Sequence, residues 1–150
     1  MARYLVVANQ TLGGAELRAK VEELTSDGNT TVHLVAPVSR TDGERDWEYP
    51  RTDRTAPDAA IVARWLAEAR LKREIDRLSA AGVAASGEVV DHDPVDRIRE
   101  VLKEQQYDGI VVSTLSRTLS RWLVMDLPHR IMRLSNVPGT HVEGTAGPSL

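Results

Sequence analysis

Two short segments hold the residue types best suited to binding or chemistry. In Ser113-Thr114-Leu115-Ser116-Arg117-Thr118-Leu119-Ser120-Arg121, the hydroxyls of Ser113, Thr114, Ser116 and Thr118 alternate with Arg117 and, past Ser120, with Arg121. Hydroxyl and guanidinium groups together make charge-assisted contacts to phosphate or carboxylate; a solvated surface loop has the same composition. The second segment, Asn9-Gln10-Thr11-Leu12-Gly13-Gly14, sets polar side chains before a glycine pair. Free amides at a helix start accept anions, and glycines there equally serve close packing of a turn. Neither Gly-x-Gly-x-x-Gly nor Gly-Lys-Ser/Thr is present, so the dinucleotide fingerprint and the P-loop fail on their own terms.

Other combinations carry less. Asp91-His92-Asp93 offers metal-ligand types, but consecutive residues entering a helix do not converge on one ion and Asp93 is needed as the helix cap, so no metal is expected. His129 lies near the serine-rich segment and Asp126, yet nothing resembles a Gly-x-Ser-x-Gly elbow and no catalytic set is assigned. His33 stands inside an apolar strand and reads as a satisfied core residue. His129, Arg130 and Arg133 read as the outer surface of a helix.

The elements that position these residues follow from periodicity. Tyr4 to Ala8 is an unbroken apolar run, the pattern of a strand buried on both faces. Leu17, Val21 and Leu24 at helical spacing end at Asp27-Gly28, and a second strand runs from Thr31 to Ala36. Residues 38–57 lose periodicity, carry Trp47 and Tyr49, and form a long loop. Asp58 caps a helix to about Ala81 with Ile61, Trp65, Leu71, Ile75 and Leu78 on its apolar arc, leaving Val62 and Leu66 off it. Val83 to Val90 is a third strand. Asp93-Pro94 opens a helix with Val95, Ile98 and Leu102 inward. Ile110 to Val112 is a fourth strand, Asp126 caps a helix with Leu127, Ile131 and Leu134 inward, and Val137 to Val142 is a fifth strand. One domain over residues 1–143 is expected, with 144–150 as a flexible tail.

Five alternations of strand and helix predict a parallel sheet with helices on both faces. Ligands in such sheets sit beyond the carboxyl ends of the strands, where neighbouring connections diverge. A strand order of 3-2-1-4-5 puts that crevice between the first and fourth strands, where Asn9–Gly14 and Ser113–Arg121 converge.

Composition narrows the functions. The chain has 150 residues, 41% hydrophobic, no cysteine and a formal charge of −3. Thiol chemistry and iron–sulfur ligation are excluded. The charge balance offers no broad attraction to nucleic acid or anionic lipid, and with aromatics at 4% and no phenylalanine, base-stacking platforms are not expected. No run approaches the roughly 20 apolar residues of a membrane span. A cytoplasmic location is expected, with neither nucleic acid nor membrane as partner.

From Arg3-Tyr4-Leu5-Val6-Val7-Ala8-Asn9, through Asp93-Pro94-x-x-x-Ile98 and Tyr107-Asp108-Gly109-Ile110-Val111-Val112-Ser113, to Val137-Pro138-Gly139-Thr140-His141-Val142, the chain resembles the universal stress protein family. The resemblance implies the same five-stranded fold, dimerisation through the last strand and, in one branch, ATP binding. That branch carries Gly-x-x-Gly after the fourth strand and Gly-Ser or Gly-Thr at the start of the last helix. Here Ser113 and Ser116 stand in place of the first two glycines, and Met125-Asp126 or Asp126-Leu127 replaces the last pair. A carboxylate about 4 Å from a phosphate charge costs about 4 kcal/mol at an effective dielectric near 20, which sets Asp126 against a nucleotide. Arg117 and Arg121 offset part of that. Asn9 takes the place of an acidic residue that faces adenine in many relatives, and its amide can still bond a base edge.

The expected function is therefore a non-enzymatic stress or regulatory protein, acting as a homodimer, with a weak or absent site for a small nucleotide or anion. The alternative is a binder of ATP or AMP, or a slow ATPase. Its site would draw on Asn9, Gln10, Thr11, Gly13, Ser113, Thr114, Ser116, Arg117 and Arg121.

Overall fold

The computed structural model describes residues 1–38, 59–91, 94–115 and 127–150. The long loop from residue 39 onward, the capping residues Asp58, Asp93 and Asp126, and Ser116, Arg117 and Arg121 lie outside them. Five strands, β1 (Ala2–Val7), β2 (Thr30–Pro37), β3 (Ala84–Val90), β4 (Gly109–Leu115) and β5 (Gly139–Gly144), form one parallel sheet in the order β3-β2-β1-β4-β5. Between them run α1 (Ala15–Thr25), α2 (Ala59–Ala80), α3 (Pro94–Glu104) and α4 (Leu127–Met132). The fold and strand order are those expected from the sequence.

The unbroken apolar run of β1 is explained by two cores that share it. Leu5 and Val7 face one side with Val35, Ile110 and Val112, beneath Val95, Ile98 and Val101 of α3 and Leu127 and Ile131 of α4. Val6 and Ala8 face the other with Leu34, Ala36 and Val111, beneath Leu17 and Val21 of α1 and Leu71 and Leu78 of α2. Side chains alternate along a strand, so a central strand covered on both faces must be apolar at every position.

Three expectations are corrected. In α2 the apolar arc is misplaced at its start: Ile61 and Trp65 are 48% and 56% exposed, whereas Val62, Ala63 and Ala67 are buried. The inward stripe is Ala63, Ala67, Leu71, Glu74 and Leu78, at helical spacing. Leu71 and Ile75 lie against Gly87 of β3, and Glu74 stays in the stripe because Arg77 Nε lies 3.2 Å from both of its carboxylate oxygens. The last strand begins at Gly139, two residues later than expected. Pro138 has no amide to give, and its carbonyl instead accepts the Ile110 amide at 2.9 Å. In the expected flexible tail, 144–150, Gly144 belongs to β5, and Thr145, Gly147, Pro148 and Ser149 are hydrogen-bonded to the body of the protein, as described below.

Candidate functional site

β1 ends at the junction with β4, and the chain there folds into a compact turn. The Leu12 amide donates to the Asn9 carbonyl at 3.0 Å and the Gly14 amide to the Thr11 carbonyl at 2.8 Å. These bonds bury Asn9 and Thr11. The Asn9 amide is spent on both sides: Nδ2 donates to the Pro37 carbonyl at 2.9 Å, and Oδ1 accepts Arg70 Nη1 at 3.1 Å. Across the junction, Thr11 Oγ1 and Ser113 Oγ are 2.7 Å apart, both out of solvent. Buried polar groups that pair in this way avoid the 1–3 kcal/mol cost of an unmet group.

The structure thus brings Asn9, Thr11 and Ser113 to one wall, as the topology predicts. Thr114 is also buried, and it pairs with His141 Nε2 of β5 at 2.8 Å rather than with Thr11. Gln10 enters through its backbone carbonyl, which accepts the Gly147 amide at 2.9 Å. Gly13, with φ +84°, sits against Pro148: a Cβ there would lie 3.1 Å from the Pro148 Cδ.

Sequence reasoning missed Arg70 and His141. Arg70 belongs to a helix rich in Arg and Glu, where nothing in the spacing separates a guanidinium aimed at the crevice from one on a solvated face. His141 stands in β5 and reaches Thr114 because their strands pair Val112 with His141.

The start of α1 has no side-chain cap from Gly14. The first-turn Glu16 carboxylate occupies this region instead: it accepts the Thr145 amide at 3.1 Å and the Thr145 hydroxyl at 3.0 Å. Hydrogen bonds from its own backbone amide, then from Thr145, hold its carboxyl below the usual glutamate range. A carboxylate at a helix N-terminus meets the positive end of the helix dipole, so the seat an external anion would seek already holds a negative charge.

At the opposite ends of the strands lies a separate groove of about 480 Å³ over β2 and β3. His33, expected in the core, stands on its wall and is satisfied there. Its Nδ1 is 2.8 Å from Ser86 Oγ and its Nε2 is 3.4 Å from Glu88 Oε1. Arg97 completes the row, with Nε 3.0 Å from Glu88 Oε2; bonds to Glu88, Glu104 and Glu100 raise its pKa. Among the described residues, no three His, Cys, Asp or Glu side chains are grouped to hold a metal ion, and no helix is long and apolar enough to cross a membrane.

A parallel sheet wound in both directions from its centre, with polar side chains gathered where β1 and β4 part, defines a doubly wound α/β protein with a switch-point crevice. The family model described as the universal stress protein family matches residues 16–142, and the chain belongs to that family.

Solved structures agree on the fold. A universal stress protein from Archaeoglobus fulgidus is 14% identical, with a TM-score of 0.58 over 95% of this chain and 94% of that one. One from Arabidopsis thaliana with AMP bound is 12% identical, with a TM-score of 0.59 over 95% and 92%. A universal stress protein in complex with cAMP is 20% identical, with a TM-score of 0.57 over 95% and 98%. A comparison with curated proteins finds no match.

Proposed function

We propose that this chain is a non-enzymatic regulatory protein of the stress response, acting in the cytoplasm as a homodimer, whose crevice takes adenine nucleotide weakly or not at all. The observation that carries this reading is the internal pairing of the crevice wall. Asn9 is bonded to Pro37 and Arg70, and Thr11 to Ser113. A ligand that bonds these groups must first break the bonds they make, and it gains only the difference. The Glu16 carboxylate at the start of α1 adds like-charge repulsion against a phosphate there.

Dimerisation through β5 is supported by its place as an outer strand of the sheet, where one row of backbone groups faces no other described strand. Gly139, the first residue of β5, has an internal reason: a Cβ would meet Met132 Cγ at 2.7 Å. The small residue follows from packing within the chain and does not argue against pairing along that edge.

A second reading, a binder of ATP or AMP or a slow ATPase with Ser116, Arg117 and Arg121 as its phosphate cradle, is favoured by the AMP and cAMP complexes of the structural relatives. Thermal unfolding with and without Mg-ATP, ADP and AMP, backed by mass analysis of ligand extracted from the purified protein, separates the two. A ligand at 100 times its dissociation constant adds about 2.7 kcal/mol, or several degrees in Tm at this size. The expected result is no shift at millimolar nucleotide and no co-purified ligand. A shift of several degrees or a retained nucleotide overturns the first reading in favour of the second. Light scattering at tens of micromolar tests the dimer, and a monomer there removes it.

A further inference from the structure

The segment after β5 has its own seat on the protein. After β5, Thr145 bonds Glu16 of α1 through both its amide and its hydroxyl. Gly147 then donates its amide to the Gln10 carbonyl at 2.9 Å. Finally Arg73 of α2 donates Nη1 to the Pro148 carbonyl at 2.9 Å. In a few residues the segment touches β5, α1, the turn after β1, and α2.

Four of the chain's ten glycines make the approach, which at Gly14 and Gly147 is backbone against backbone. A Cβ at Gly14 would lie 2.3 Å from the Thr145 carbonyl oxygen, and one at Gly147 would lie 1.9 Å from the Leu12 carbonyl oxygen. Gly13 faces Pro148, and Gly144 faces the Glu16 side chain. Each of these contacts has a glycine on one side, and at Gly13 and Gly147 both sides are glycine. The Gly13-Gly14 pair therefore has an occupant in the structure, and it is the chain's own segment after β5.

We propose that residues 145–149 form a built-in strap that ties the β1–α1 turn to α2 and so holds the Asn9–Thr11 wall of the crevice in its internally paired state. Gln10, the residue the strap grips, lies between Asn9 and Thr11, whose side chains make the pairs across the crevice. Releasing the strap frees that wall to exchange its internal bonds for bonds to a ligand, and it is then the point at which the crevice can be regulated. The regulatory consequence rests on the crevice reading above; the docking and its effect on the turn do not.

Hydrogen exchange read by mass spectrometry on the ligand-free protein tests the strap. Three proteins are compared with the full chain: one ending at Gly144, a Gly147→Val variant that cannot seat against Leu12, and an Ala146→Val variant at an exposed position. Exchange in peptides covering residues 8–17 is expected to rise about tenfold or more in the first two and to stay unchanged in the third. Peptides covering β4 should stay protected in all three, which separates strap release from global unfolding. Arg73→Ala, which removes only the far anchor, should give a smaller rise and serves if the truncated protein does not fold. Unchanged exchange at 8–17 in both the truncated chain and Gly147→Val overturns the proposal, as does an equal rise in Ala146→Val. Because no nucleotide is present, the result is independent of whether the crevice binds one.

Discussion

Replacing Asn9 with alanine is the sharpest probe of the crevice wall. The substitution removes both bonds of a fully buried amide: Nδ2 to the Pro37 carbonyl at 2.9 Å, and Oδ1 from Arg70 at 3.1 Å. The two losses differ in kind. Pro37 is buried, so its carbonyl loses a donor where water does not readily replace it, a cost of about 1–3 kcal/mol. Arg70 is only partly buried, and water can take over its lost bond, leaving about 0.5–1 kcal/mol. A loss of about 1.5–4 kcal/mol follows, which at this size lowers Tm by about 3–16 °C. Urea unfolding should show the midpoint falling with an unchanged slope, as expected for lost stability without a changed unfolded state. A cycle with Arg70→Ala isolates the Asn9–Arg70 bond, with an expected coupling of about 0.5–1.5 kcal/mol. An Asn9→Ala protein within about 1 °C of the parent, or a coupling near zero, would refute the closed wall on which the weak-nucleotide reading depends.

Two further outcomes follow from other contacts. Glu16 has a folded-state pKa below its ordinary value of 4.5 because of bonds from its own amide and from Thr145. Its contribution is therefore complete above that ordinary value and is lost as the pH falls through the depressed folded one. Glu16→Gln should flatten the fall in Tm on acidification, and an unchanged acid limb would exclude Glu16 as a contributor. Gly87→Ala places a Cβ 2.7 Å from Leu71 Cδ1 and 2.9 Å from the Leu34 carbonyl oxygen. Because the second neighbour is backbone, a loss of about 1–3 kcal/mol in denaturant unfolding is expected, and a neutral result would show that α2 can lift from β3 at little cost.

The parts of the fold that were legible in the sequence are those where one physical rule decides. The run Tyr4–Ala8 is apolar at every position because β1 is covered twice, and no other pattern competes with that reading. The start of the α2 stripe is not legible, because its large side chains, Ile61 and Trp65, face solvent. The buried face instead carries the small side chains of Ala63 and Ala67 and holds Glu74 beside Arg77. The meeting of Thr11 with Ser113 follows from strand order, whereas Arg70 depends on how α2 lies across the sheet, which no local periodicity encodes. The strap was hidden for a different reason. Its contacts are made by main-chain atoms across glycines, and Gly144-Thr145-Ala146-Gly147-Pro148 has the composition of a disordered end, with no side-chain pattern to set against it.

The sharing of β1 between two cores also bears on synthesis. β1 leaves the ribosome before the rest of the sheet and finds β2 within a few dozen residues, with Val6 aligned to Leu34. Its other neighbour comes much later, because Val6 aligns with Val111, 105 positions further on by subtraction of those two numbers. At about 5–20 residues per second, roughly 5–20 s pass between the two. For that interval the most apolar strand of the sheet has one open edge, and neither α3 nor α4 covers its Leu5 and Val7 face for much of the time. The nascent chain is then most exposed to strand-to-strand association with its neighbours on the same message, and a slow stretch of translation before residue 109 would lengthen that exposure.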